Sequence, residues 1–533
     1  MINESLHLLK SHLWDKDLSQ KYSEGEPPLR SELFSSEQME QYGKVLAGLH
    51  LPGPKVKPDQ HLLSRLAENE AVLLEVHDLI SEAVKASRQI TPAGEWLLDN
   101  FYLIEEQIRT GRRHLPKGYS KELPRLLNGP SAGLPRVYDI AKEIISHGEG
   151  HIDPESLRRF VAAYQTINPL KLGELWAIPI MLRLALIENL RRVAVRVAAG
   201  RLDWDLADSW ADKMIETAEN DPKSLILVIA DMARSDPPMS TPFVSEFVRR
   251  LQGQSPALAF PLTWIEQRLS ESNQTTVQLI QYGNQQQAAD QVSISNSIGS
   301  LRFLSTLDWR EFVESMSHVE KVLRGDPVDA YSSMDFKTRD HYRHIIEKIA
   351  KKSSFSEIEV AQRAVALAKK GSELNGQHDR RAHVGFYLIG KGLLQLEQIS
   401  KSKRTFKSII TNMITRVPIL FYLGSIILLT AVLCWSLLQK AHGDGPGTWY
   451  LWPLGFLLAL CTSYLAIAIV NWLSTLLVSP FPLPRLDYSK GIPPESRTIV
   501  IIPSMLISNQ NICLLYTSPS PRDRTRSRMP SSA

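Results

Sequence analysis

Few residues in this chain combine the types and spacings that chemistry requires. The densest group is DNFYLIEEQIR, Asp99 to Arg109, where Asp99 and Glu106 stand seven apart and Glu105 faces Arg109 at i,i+4. Two carboxylates on one helical face can divide acid and base work. On a long charged helix such groups are usually paired or solvated, and that is the expectation here. Glu188, Asn189, Arg191 and Arg192 close the apolar part of another helix. They either hold an anion or pair with neighbouring helices, and pairing is expected. His341 and His344 share a helical face, with His378 and His383 further on. A metal would suit that pair, but no carboxylate completes an HExxH pattern, so ordinary polar or capping roles are expected. There is no phosphate-cradling GxxxxGK[ST] loop, no GxGxxG and no GxSxG. The three cysteines are Cys434, Cys461 and Cys513, so thiolate chemistry, Cys-based zinc sites and disulfides are absent before residue 434.

These residues must be positioned by helices. Thr91-Pro92, Asp153-Pro154, Asp221-Pro222 and Thr241-Pro242 each join a capping side chain to a proline at a helix start, where proline loses no hydrogen bond. Ser354 and Glu357 have capping-box spacing before a helix that is expected to run to Lys370, with Gly371 just past its end. Gly253 closes the Thr241 helix in the same way. Leu175 to Gly200 is apolar round most of its circumference and reads as a central core helix, with Pro179 in its first turn or kinking it. Gln281 to Gln291 reads as a helix with one polar face. Strand signals are nearly absent before residue 400, and no fixed repeat emerges. The fold class is mostly α.

The chain has 533 residues, 43% of them hydrophobic and 22% charged, with formal net charge +4. That composition excludes a disordered chain, a collagen and a disulfide-rich secreted module. Mean hydropathy of −0.15 excludes a polytopic carrier. Val417 to Gln439 contains no charged residue and reaches roughly 34 Å as a helix, enough to cross a ~30 Å hydrocarbon core. A second such run extends from Trp449 to Val478, with Trp449, Tyr450, Trp452 and Trp472 near its ends. Lys401, Lys403, Arg404, Lys407 and Arg416 precede the first run, and Arg485, Lys490 and Arg497 follow the second. The positive-inside rule then places both flanks in the cytosol. No signal peptide is visible in Met1 to Lys21, which agrees.

The expected organisation is a loosely packed segment 1–56, a cytosolic helical domain 57–400 and a basic juxtamembrane stretch 401–416. Spans at 417–439 and 449–478 follow, then a Pro-rich linker 479–497 and a strand opening an α/β domain within 498–512. Thr498 to Ile502 is the strand itself, stopped by Pro503. Ligands of open α/β sheets lie past the carboxyl ends of strands, so Pro503 to Leu506 would border a site. Residues 513–533, Ser/Pro-rich and without period, resemble the translation of a sequencing adapter and are expected to be an artefact tail. Arg522, Arg524, Arg526 and Arg528 in it account for much of the positive charge, so no nucleic-acid partner is expected.

Several long blocks carry a resemblance: DNFYLIEEQIR, His114–Leu126, Arg158–Arg192, Gln287–Glu314, Met334–Ser353, Arg380–Ile389 and Leu483–Leu506. Together they resemble the N-terminal part of bacterial cyclic β-1,2-glucan synthases, from about residue 60 to Ser508. The resemblance implies an inner-membrane hexosyltransferase that makes a periplasmic cyclic glucan from UDP-glucose with a divalent metal. It further implies glycosyltransferase and phosphorylase-like domains as partners within the same parent chain, and the lipid bilayer as a partner. On this reading the chain is a fragment cut at the start of the glycosyltransferase domain and is itself inactive, with no catalytic or metal residue of its own. Pro503, Ser504 and Met505 are then the nearest candidates to a nucleotide-sugar site. The competing reading is a stand-alone membrane-anchored helical scaffold. A transporter would need more spans and intramembrane charge.

Overall fold

A 49-residue helix, Leu172–Asn220, organises the larger of two units in this computed structural model. Residues 26–53, 61–115, 122–402, 418–444, 451–477, 483–489 and 491–497 are described. Among them are nineteen α-helices and one two-stranded antiparallel pairing, β1 (Pro52–Gly53) with β2 (Arg125–Leu126), Pro52 opposite Leu126. The fold is mostly α, as the sequence indicates.

In chain order the helices are α1 (Ser36–Leu49), α2 (His61–Lys85), α3 (Pro92–Asp99), α4 (Phe101–His114), α5 (Arg136–His147) and α6 (Pro154–Ile167). The long helix is α7. It is followed by α8 (Leu225–Ser235), α9 (Thr241–Leu251), α10 (Ala259–Glu271), α11 (Thr276–Thr306), α12 (Trp309–Met316) and α13 (His318–Leu323). Then come α14 (Phe336–Ala350), α15 (Glu357–Asn375), α16 (Gly385–Leu388), α17 (Leu393–Ile399), α18 (Pro418–Asp444) and α19 (Leu451–Leu477).

Two different environments lie along α7. From Leu175 to Ala198 it is buried on nearly every side, among α2, α4, α5, α11 and α12. Beyond Leu202 only a stripe is buried: Ala207, Trp210, Ala211, Met214 and Ala218, on one helical face. That stripe joins Phe243, Phe247, Ile265 and Leu269 in a second core. The helix therefore outlasts the Leu175–Gly200 core helix expected from the sequence. Pro179 sits two turns inside it rather than in the first turn.

The helix starts show what local chemistry decides. Thr91 Oγ1 accepts from Gly94 N at 3.1 Å and Asp153 Oδ2 from Ser156 N at 2.7 Å, the expected caps. Ser240, not Thr241, caps α9. Ser356 with Glu359, not Ser354 with Glu357, forms the capping box of α15, which runs through Gly371 and ends at Gly376 with φ +84°. Asp221 starts no helix; its carboxylate bonds Lys223 N and the Ser224 hydroxyl, closing a turn. The leading segment, expected to be loose, contains α1, which packs on α6 and buries Met39, Leu46 and Ala47. Burial of one apolar face makes that element part of the core.

The second unit holds α18, α19 and the chain around Ser332–Asp340. Stretches Ile419–Lys440 and Trp452–Leu476, with mean hydropathy 2.2 and 2.1, are long and apolar enough to cross a membrane. The helices pack antiparallel. Tyr422 donates its hydroxyl to Asn471 Oδ1 at 2.7 Å near one end, and Gly455 lies beside Leu438 near the other. Thr462, Ala466 and Val470 form the buried seam, a run of small and β-branched residues that lets backbones approach. After the hairpin, Asp487 N–H donates to Ser333 O at 2.8 Å and Asp335 N–H to Arg485 O at 2.9 Å. Residues 403–417, the strand and candidates within 498–512, and the tail 513–533 lie outside the described residues.

Candidate functional site

The residues singled out on α7 form a hub of paired charge. Glu188 is fully buried and its carboxylate accepts from Arg65 Nε at 2.9 Å, Asn69 Nδ2 at 2.9 Å and Arg192 Nε at 2.9 Å. Arg191 reaches it at 3.2 Å. Burial alone would raise this carboxyl, but Arg65 above all, then Asn69 and Arg191, hold it well below the usual carboxylate range. Glu26 completes the group at the surface, taking Arg191 at 2.6 Å, Arg65 at 2.8 Å and Arg192 at 3.0 Å. Asn189 turns the other way. Its Oδ1 accepts from Leu29 N at 2.9 Å, and its amide donates to Ser293 and Ser297 hydroxyls at 3.0 and 3.1 Å. Of the two readings open for this cluster, pairing holds.

The other candidates are not assembled into a reaction centre. Asp99 ends α3 and Glu106 lies in α4, so the break at Asn100 removes the shared helical face; Glu106 is exposed. Glu105 and Arg109 do pair, at 3.0 Å. His383 Nδ1 sits 2.6 Å from buried Asp326, whose other oxygen accepts from Val384 N at 3.0 Å. His341 and His344 lie on α14. Among the described residues, no three His, Cys, Asp or Glu side chains converge as a metal site requires.

Two polar networks escaped the sequence reading. His50 Nδ1 lies 2.9 Å from the Tyr164 hydroxyl and its Nε2 3.1 Å from Asp139, which Ser131 also contacts. All four side chains are buried, so the network braces α1 against α5 and α6. Beside it Arg136 clamps Glu174 through two bonds, at 2.5 and 2.6 Å, at the start of α7. These partners stand far apart in sequence and carry no local signature.

A shallow, solvent-open cleft lies where α3, α7, α9 and α11 meet. Gly283 makes the close crossing possible: a Cβ there would overlap the Thr241 side chain. Trp204, half-exposed, forms one wall, with Arg201 stacked 5.8 Å from its ring. Asn284, Gln286 and Gln287 line another. Arg196 and Asp290 approach to 2.9 Å within the lining, and Arg30 adds a contact to Asp290 at 3.5 Å. Burial raises the Asp290 carboxyl, against the pull of both arginines.

No protein-family model matches the chain. Over 457 residues, 84% of its length, it is 31% identical to the cyclic beta-(1,2)-glucan synthase NdvB of Rhizobium meliloti (strain 1021). The chain is a relative of the cyclic β-1,2-glucan synthases. It spans 16% of that synthase's length. Two blocks that carry the resemblance to these synthases, Arg158–Arg192 and Gln287–Glu314, supply Glu188 and Asn189 and the Asn189 partners Ser293 and Ser297. The nucleotide-sugar candidates Pro503, Ser504 and Met505 lie outside the described residues.

Proposed function

We propose that this chain is the helical and membrane-anchoring part of a cyclic β-1,2-glucan synthase of a bacterial inner membrane. The similarity running through most of its length carries the reading. The apolar hairpin α18–α19 supports the membrane assignment. Basic flanks at Lys401–Arg416 and Arg485–Arg497 support a cytosolic position for both sides of that hairpin.

On this reading the helical unit has a structural task, to hold the leading segment against the long helix. Glucose transfer from UDP-glucose belongs to the glycosyltransferase region of the parent synthase, with Pro503, Ser504 and Met505 beside its nucleotide-sugar site. A divalent metal there would neutralise the diphosphate as it departs. The described residues offer no ligand set for it, and no step of their own chemistry runs through one.

A chimera tests the proposal. In a Rhizobium meliloti strain lacking its synthase, the matching segment of that enzyme is replaced by this chain's residues 26–497. Membranes should convert labelled UDP-glucose into neutral cyclic glucan. Chimera present in the membrane at normal amounts but making no glucan would overturn the reading. Membranes carrying this chain alone should incorporate no label; incorporation would misplace the transfer site.

A further inference from the structure

The cleft beside Trp204 has no task in that assignment, yet its free polar groups are selective in kind. The hydroxyls in its lining are already engaged: Thr91 caps Gly94 N at 3.1 Å, Ser245 donates to Pro242 O at 3.1 Å and Thr241 to Leu279 O at 3.4 Å. Among the described residues, the carboxamides of Asn284, Gln286 and Gln287 have no hydrogen-bond partner, and Asn284 is exposed. Each carboxamide presents a donor and an acceptor side by side. Trp204 is the aromatic residue of the same lining, with the Arg201 guanidinium over one side of its ring.

Charge narrows the ligand further. Arg196 and Arg30 face Asp290, and Arg30 also meets Glu149 at 3.2 Å. Two cations balance two carboxylates, so the cleft carries no net field that would gather a phosphate or a cation. A ligand matched to paired donors and acceptors, an aromatic face and zero net charge is a neutral sugar. Its hydroxyls each donate and accept, and the C–H face of a pyranose ring is apolar.

We propose that this cleft binds a neutral β-1,2-linked glucan chain. One glucose unit stacks on Trp204, and Asn284, Gln286 and Gln287 take its hydroxyls. The choice of glucose rests on the synthase reading, whereas the choice of a neutral sugar rests on the cleft.

The test is calorimetric titration of the purified full chain in detergent with sophorose and longer β-1,2-gluco-oligosaccharides, against cellobiose and UDP as controls. Saturable binding of the β-1,2-linked sugars is expected, weakened about tenfold by Trp204→Ala, the loss of one aromatic contact. The double variant Asn284→Ala/Gln287→Ala, on the solvent side, should weaken binding by a similar factor with an unchanged thermal midpoint. It serves if Trp204→Ala fails to fold. No saturable sugar binding by the parent chain, preferential binding of UDP, or full affinity in both variants would each overturn the proposal. Glucan made by the chimera without oligosaccharide binding removes the cleft assignment alone. Binding with an inactive chimera removes the synthase reading and leaves a sugar site.

Discussion

The two halves of α7 solve opposite problems with one continuous helix. In the first half the most deeply buried polar side chains are matched: Glu174 by Arg136, Arg183 by Gln107 at 2.7 Å, Glu188 by Arg65 and Asn69, and Asn189 by three partners. Where the two halves join, Arg196, Val197, Gly200 and Trp204 line the cleft, in which the carboxamides of Asn284, Gln286 and Gln287 make no hydrogen bond among the described residues, and beyond it one stripe is buried. A buried polar group without a partner costs stability, so the enclosed half must be complete. An exposed carboxamide is hydrated, and that makes it available to a ligand. The enclosed half fixes position, and the cleft at its far end can bind.

The strongest way to break this contrast is to remove Arg136. Its guanidinium and the Glu174 carboxylate are 3% and 0% exposed, and Arg136→Ala strands the carboxylate in the core. A loss of about 3–5 kcal/mol is expected in denaturant unfolding of the helical unit. A loss below about 1 kcal/mol, on the scale of exposed ion pairs, would mean that water reaches the enclosed half.

Acid and base should pull on the enclosed half in opposite directions. Glu357 accepts from Leu172 N at 2.9 Å at the start of α7, and burial, with Glu347 and Glu174 nearby, pushes its carboxyl up to about 7. A raised carboxyl favours the folded state while protonated. That stabilisation is complete below the ordinary carboxylate range and is lost as pH rises through about 7. Glu188, held low, stabilises above the ordinary range and loses its contribution as pH falls. Glu357→Gln stays neutral and still offers an oxygen to Leu172. It should raise stability at pH 8 by up to about 3 kcal/mol and flatten the profile between pH 5 and 8. A profile unchanged by the substitution would place Glu357 in water.

How much of this was legible depends on distance along the chain. Caps at Thr91 and Asp153 and the polar face of Gln281–Gln291 are local, and the sequence showed them. The caps at Ser240 and Ser356 were misplaced by one and two residues because adjacent hydroxyls compete for the same amides. Asp221-Pro222 misled because an aspartate closes a turn as readily as it caps a helix. Gly200 looked like a terminus, but the stripe Ala207–Ala218 packs on α9 and carries the helix on. The His50–Tyr164–Asp139 network, the Arg136–Glu174 clamp and the cleft join residues from separate helices. Only tertiary packing brings those together.

The finest test uses one residue type in the enclosed half of α7 and in the cleft wall on α11. Asn189→Ala removes the acceptor for the buried Leu29 N–H and the donor to two buried serines. Leaving those groups unpaired should cost about 2–3 kcal/mol. Asn284→Ala removes an exposed carboxamide with no partner among the described residues, so a change within about 0.5 kcal/mol is expected. The same chemical deletion then separates by its surroundings alone, which hydrogen exchange can follow helix by helix. Equal costs at the two positions would show Asn284 holding structure rather than facing a ligand. The contrast between the halves of α7 would then reduce to their apolar packing.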